Sequence, residues 1–275
     1  IIRYLFFVLI FLSFFLLYYK NKSKSNTIIF FLKFFQKKND LPFNEIKFLC
    51  AFIFFIIFDS YLFKLPIFNL DSFHEGEWLT PAFIYQKYNQ IWSQSYFAHG
   101  FFYDVMHPVI SWKLFNSHSI ASSRILVLLL VLFKKILLLI LIYLISKKIN
   151  LKYKSKIIFF TFLSISALFL SNISLETSYL NFRDIIIVFF LICIIQIDKT
   201  LFCILAGITT AISLFVSIDR GIYLNFLFFL LLFFFSLKKQ KRKLLFLILG
   251  FLVGWLLSLQ FFGFTEIQYF VYNTI

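Results

Sequence analysis

Residues 68–115 read FNLDSFHEGEWLTPAFIYQKYNQIWSQSYFAHGFFYDVMHPVISWKLF, the one long non-apolar stretch of the chain, and they hold most of the side chains able to do chemistry. Asp71, His74 and Glu75 lie within five residues. On a helical turn the i, i+3 and i, i+4 spacings put all three on one face, an arrangement suited to a general base or a metal site. Gly76 follows and Pro81 interrupts the pattern, so the segment is expected to be a short interfacial helix. Further on, AHGFFYD sets His99 and Asp104 around Gly100, with His107 and Pro108 just beyond. Each histidine alone reads more simply as a surface or hydrogen-bonded residue. Three of the chain's four histidines clustered with Asp71, Glu75 and Asp104 favour a site. HExxH and other zinc signatures are absent; a divalent metal is compatible with these donors, but their spacing does not demand one, so no metal ligand or cofactor is assigned.

Two shorter segments pair opposite charges: Arg183-Asp184, and Asp219-Arg220 followed by Gly221. The plainer reading is a local ion pair at an interface. The functional one is that Arg183 or Arg220 clamps a phosphate, for which the guanidinium fork is suited. No Gly-rich phosphate loop, GxSxG elbow or kinase signature accompanies them.

The elements that must position these residues follow from composition. With 61% hydrophobic and 14% charged residues and a mean hydropathy of +0.91, the chain cannot hide its apolar groups in one water-soluble core, so its solvent is lipid. In hydrocarbon every backbone polar group must be satisfied internally, and a helix needs about 20 apolar residues to cross. Runs near that size fall at 1–19, 46–63, 120–145, 157–174, 185–197, 200–217, 222–237 and 244–262. The expected class is all-α, a polytopic membrane protein of about eight transmembrane helices with an interfacial helical external loop at 64–119. The run at 185–197 is short and must tilt, borrow Tyr179 to Phe182, or be partly re-entrant. Ile1 to Tyr19 lacks a small-residue cleavage site and leads into lysines, as a first span does and a signal peptide does not. The chain starts at Ile1 and stops at Ile275 just after an apolar run, as a piece of a longer protein would.

Lysines and arginines alternate between the connecting segments: 20–47, 147–156, Lys199 and 238–243 form a basic side that the positive-inside rule makes cytoplasmic. Acids distribute the other way, with Asp71, Glu75, Glu77, Asp104, Glu176, Asp184, Asp219 and Glu266 on the opposite side, so a polar site is expected to face outward. Lys134 and Lys135 fall inside the third run, where each costs about 2.5–3.5 kcal/mol at the bilayer centre. Either the helix starts near Ser117 and the pair snorkels to the cytoplasmic interface, or the pair is buried and contacts a lipid phosphate. The net charge of +15 has a topological and anionic-lipid explanation, and no nucleic-acid motif is present. Cys50, Cys193 and Cys203 lie in apolar runs and read as small hydrophobes. Trp78, Tyr85, Tyr88, Trp92, Tyr96 and Trp112 are expected to anchor the loop at the membrane surface.

The string D-x-x-H-E-G at Asp71 to Gly76, followed by H-G-x-x-x-D at His99 to Asp104, resembles the C-type (GT-C) membrane glycosyltransferases, bacterial members related to aminoarabinose and protein O-mannosyl transferases. The resemblance spans roughly 46–262. It divides the chain into a first transmembrane helix with a basic cytoplasmic loop at 1–45 and a GT-C-like transmembrane domain at 46–275. It implies an enzyme of the bacterial inner membrane, its site facing the periplasm or exterior. The enzyme would move a sugar from a polyprenyl-phosphate donor to an envelope glycan, lipid or protein acceptor. Asp71, with Glu75 and His74, would then be catalytic, and His99, Asp104, Arg183 and Arg220 would bind substrate. An additional span precedes the loop, and the chain is shorter than a full transferase. The competing classes are a transporter or lipid flippase, with its site on broken helices near the midplane, and a non-catalytic membrane scaffold.

Overall fold

The structure is a computed structural model that describes residues 72–94, 99–149, 153–173 and 182–274. The expected runs at 1–19 and 46–63 lie outside the described residues, together with Asp71, Tyr96 and Glu176. The chain forms two compact units, 1–43 with 150–158 and 44–149 with 159–275. Of the first, only 153–158 are described, as the start of a helix.

Every regular element among the described residues is helical. The polar segment before the long helices contributes α1 (Ser72–Tyr88), a π-helical turn (Phe102–Met106) and α2 (His107–Phe115). Six longer or more apolar helices follow: α3 (Ile120–Lys148), α4 (Tyr153–Ile173), α5 (Ile185–Ile195), α6 (Thr200–Val216), α7 (Ile218–Leu237) and α8 (Lys241–Phe262). A short α9 (Phe264–Thr274) comes after them. By length and composition α3, α7 and α8 can each cross a membrane, while α6 and residues 155–167 of α4 are shorter apolar helices. Large side chains such as Phe226, Phe229 and Phe233 on α7 and Leu252, Leu256 and Phe261 on α8 stand exposed, a continuous apolar surface that water does not tolerate and lipid does. The 185–197 run stays short: it opens with a tight turn at 182–184 and ends at Ile195, about 17 Å of helix.

The helices are tied by two kinds of contact. α6 lies against α8 through glycines; a Cβ on Gly250 would stand 2.1 Å from the Ile204 carbonyl oxygen, and one on Gly207 would stand 2.3 Å from that of Leu247. This close approach is the small-residue packing available to helices in lipid, where apolar area alone drives nothing. α3 and α5 run side by side in the same direction. Val127 and Val131 meet Phe182 at the start of α5, Leu137 and Leu141 meet Val188 and Ile192, and Lys148 reaches Asp198 at the far end. Charged groups therefore collect at the two helix ends. At one, Asp198 holds Lys243 at 2.7 Å and Lys148 at 3.4 Å. At the other lie Arg183, Asp184, Asp219 and Arg220.

α1 runs through Pro81 and continues to Tyr88. The hydrogen bond that proline forfeits is outweighed by burial of Trp78, Pro81 and Ala82 against the rest of the loop. Trp78, Trp92 and Trp112 are not surface anchors but 2%, 4% and 5% exposed, packed inside the polar loop. Lys134 and Lys135 do not snorkel to the basic end. α3 starts at Ile120, close to Ser117 as expected, yet both lysines are buried, and Lys134 lies within electrostatic reach of Asp184 and Arg220 at the opposite end. The reason is length: about 21 Å of helix separates Lys134 from Lys148.

The glycine contact can be tested. Gly250→Ala is expected to lower the melting point in detergent, with a loss of about 1–3 kcal/mol from overpacking. A melting curve unchanged from the wild type would show that α6 and α8 are not in contact there.

Candidate functional site

The loop is built by backbone-directed carboxylates. Asp104 is buried and accepts from the His99 backbone N–H at 2.8 Å and the Gly100 N–H at 3.2 Å. Its other oxygen lies 3.1 Å from His99 Nδ1. Gly100 has φ +141°, a conformation open to glycine, and a Cβ there would stand 2.8 Å from the Ser217 Cα. The His99 carbonyl accepts from the Ile218 N–H at 2.7 Å, which pins the loop to the corner between α6 and α7. Asp104 thus holds His99 by backbone and ring together. It fixes the imidazole so that Nδ1 faces the carboxylate and Nε2 faces away, the arrangement of an oriented general base. The His99 side chain is partly exposed while Asp104 is sealed beneath it.

A second carboxylate closes the loop from the far end of the chain. Glu266, on α9, accepts from the N–H groups of Ile91, Trp92 and Ser93 at 3.1, 2.8 and 3.3 Å, and from the Ser93 hydroxyl at 2.5 Å. Between these anchors Trp92 packs against Phe101, Phe215, Phe262 and Phe270.

Beside His99 lies the charged cluster. Arg220 binds Asp184 at 2.8 Å through Nε and Asp219 at 2.5 Å through Nη1. Asp219 also accepts from the Ser217 hydroxyl at 2.6 Å and faces Arg183 Nη1 at 3.5 Å. Arg183 is buried, with its guanidinium 4.7 Å over the ring of Tyr103. Tyr103 in turn meets His99 edge-on at 5.3 Å. One aromatic ring therefore connects the His99–Asp104 pair to the arginines. Burial pushes the Tyr103 hydroxyl above its ordinary pKa, so it stays protonated and able to donate a hydrogen bond.

Glu75 is buried and bound to Arg124 Nε at 2.6 Å, a charged pair joining α1 to the first turns of α3. Its carboxylate is committed to that arginine, which suits holding α1 in place better than accepting a substrate proton. Packed rings carry the connection inward, Trp78 to His107 at 4.6 Å and His107 to Tyr103 at 6.0 Å. His107 is fully buried in this aromatic box, and neither ring nitrogen has a hydrogen-bond partner among the described residues. Burial pushes its pKa down to about 3.

Of the residues singled out from sequence, His99, Asp104, Arg183 and Arg220 come together at one end of the bundle, while Glu75 is paired with Arg124 on α3. Asp71 and the side chain of His74 lie outside the described residues. Among the described residues no three His, Cys, Asp or Glu side chains are grouped as metal ligands. Sequence reasoning missed Tyr103, Arg124 and Ser217, and named Glu266 only as one of the acids on the side of the site. Arg124 had a signal, a lone arginine at the head of an otherwise apolar run; Tyr103 had none. A separate open groove of about 400 Å³, lined by Leu79, Thr80, Phe83, Trp112, His118, Ser119 and Ile120, contains none of the predicted site residues.

The buried histidine sets a pH dependence. A folded pKa of about 3 against an ordinary value of 6.5 means the unfolded chain binds the extra proton first. Stability from this group is complete above pH 6.5 and is lost as pH falls through the window from 6.5 to about 3. At pH 4.5 the loss is about 3 kcal/mol. Comparing His107→Phe with wild type by melting at pH 7.5 and 4.5 should show a smaller acid-induced drop in the variant; equal drops would place the titrating group elsewhere.

No family model, curated protein or solved structure shows significant similarity to the chain.

Proposed function

We propose that this chain is a multi-pass inner-membrane glycosyltransferase of the GT-C type, with about eight spans and its site at the non-cytoplasmic end. The observation that carries the reading is the junction of an oriented histidine and a clustered pair of arginines through one tyrosine: His99 on Asp104, Tyr103 between, Arg183 and Arg220 beyond. Glycosyl transfer asks for a base beside the attacking oxygen and positive charge beside the departing phosphate. In the proposed step the acceptor hydroxyl oxygen bonds to the anomeric carbon as its proton passes to His99 Nε2. The bond from that carbon to the phosphate oxygen breaks, and the electron pair leaves with the polyprenyl phosphate, held by the arginines. Asp104 keeps the imidazole oriented and stabilises its protonated form. Asp71 and His74 sit on the same loop, and Asp71 remains the alternative base.

Lipid explains the architecture: a polyprenyl donor travels in the bilayer and meets the protein at the helix ends, where the charges are gathered. The segregation of Lys148, Lys243 and Asp198 to the opposite end agrees with the basic, cytoplasmic side expected from the loop lysines. A flippase is the second reading, favoured by one observation, the burial of Lys134 and Lys135 partway along α3.

The test uses the full chain in liposomes carrying polyprenyl-phosphate-linked sugars and an envelope-lipid acceptor. His99→Ala is expected to lower kcat about a hundredfold with donor KM nearly unchanged, the range for a general base. Asp104→Asn should lower kcat in the same direction. Lipid translocation without any sugar transfer would favour the flippase, and activity untouched by either substitution would remove His99 from the chemistry.

A further inference from the structure

We propose that Lys134 is the third cation of a buried phosphate-binding site at the starts of α5 and α7, completing the clamp begun by Arg183 and Arg220. The inference rests on the phosphate-handling reading above and adds to it a residue from the middle of a long apolar helix. Lys134 is 4% exposed, and no hydrogen bond or ion pair reaches it among the described residues. An ammonium in that position is costly unless something answers its charge. The carboxylate within its electrostatic reach, Asp184, does not suffice, since Lys135 and Arg220 add positive charge beside it. Asp184 is held by Arg220 at 2.8 Å, and Asp219 is held by Arg220 and faced by Arg183. Four cations, Lys134, Lys135, Arg183 and Arg220, thus stand near Asp184 and Asp219 among the described residues. A second observation points the same way: Arg183 Nε is buried and also without a hydrogen-bond partner among the described residues. Two donors, one on α3 and one in the turn before α5, are left for an acceptor that carries negative charge and several oxygens, and a phosphate monoester or diester has both. Placement agrees, because Lys134 stands at the level where the short α5 begins, where a phosphate borne on a lipid would lie.

The chemistry could come from a lipid headgroup or from free phosphate, and the experiment separates them. Full-length protein in detergent is titrated with a short-chain prenyl phosphate, with the matching prenyl alcohol and with inorganic phosphate, reading tryptophan fluorescence and melting point. The proposal expects the prenyl phosphate to bind at least tenfold more tightly than the alcohol. Lys134→Met should abolish that preference, Lys134→Arg should keep most of it, and Lys113→Met, on exposed α2, should leave it intact. Binding of inorganic phosphate with the same Lys134 dependence would make the site one for phosphate itself. If wild type prefers the phosphate and Lys134→Met does so equally, Lys134 is not part of the clamp, although the phosphate reading stands. If wild type shows no preference for phosphate in any form, both fail. Should Lys134→Met not fold, Lys134→Gln read in the same titration decides between these outcomes.

Discussion

Asp104 has two jobs that share the same pair of oxygens. Its carboxylate gathers the backbone of His99 and Gly100 and the ring of His99, and through the His99 carbonyl the loop is tied to the first residue of α7. Everything said of the site depends on that knot. Without it His99 would have no fixed orientation, Gly100 would not lie against Ser217, and Tyr103 would not stand between the histidine and Arg183. Charge-assisted hydrogen bonds of this sort are stronger than neutral ones, and burial raises the cost of leaving any of them unmade.

The bundle supplies the other half of the constraint. Apolar helices in lipid push charge to their ends, so the turn before α5 and the corner between α6 and α7 become places where opposite charges are forced together. Arg183, Asp184, Asp219 and Arg220 are the product of that crowding. They are also why a polar loop of modest length can reach a cationic surface at all. Lys134 breaks the rule, since it lies in the body of α3, and α5 is short enough that its first turn meets α3 at that level.

The helical class and the six helices between 120 and 262 were legible, to within about four residues at their ends, because long apolar runs separated by polar turns have one physical solution in a membrane; α9 was not. The short fifth helix was legible for the same reason. The interior of the loop was not. Periodicity identifies a tryptophan but not its neighbours, so Trp78, Trp92 and Trp112 read as surface anchors when they are packing cores. The pairing of Glu75 with Arg124 joins residues 49 apart, and that of Glu266 with the 91–93 backbone joins residues more than 170 apart. Local spacing carries no trace of either contact. His99 with Asp104 was visible, since both partners lie within one turn of chain. The fate of Lys134 and Lys135 depended on which helix packs beside α3, which no single-run argument supplies.

The central claim is that the His99–Arg183–Arg220 end of the bundle faces away from the cytoplasm. Cysteine labelling addresses it directly. In a background with Cys50, Cys193 and Cys203 replaced by serine, Lys113→Cys marks the loop end and Lys239→Cys the basic end; both native lysines are exposed. With intact cells and a membrane-impermeant maleimide, the account predicts that position 113 labels at once and position 239 labels after permeabilisation. Labelling of 239 in intact cells with 113 protected would invert the protein and contradict the account.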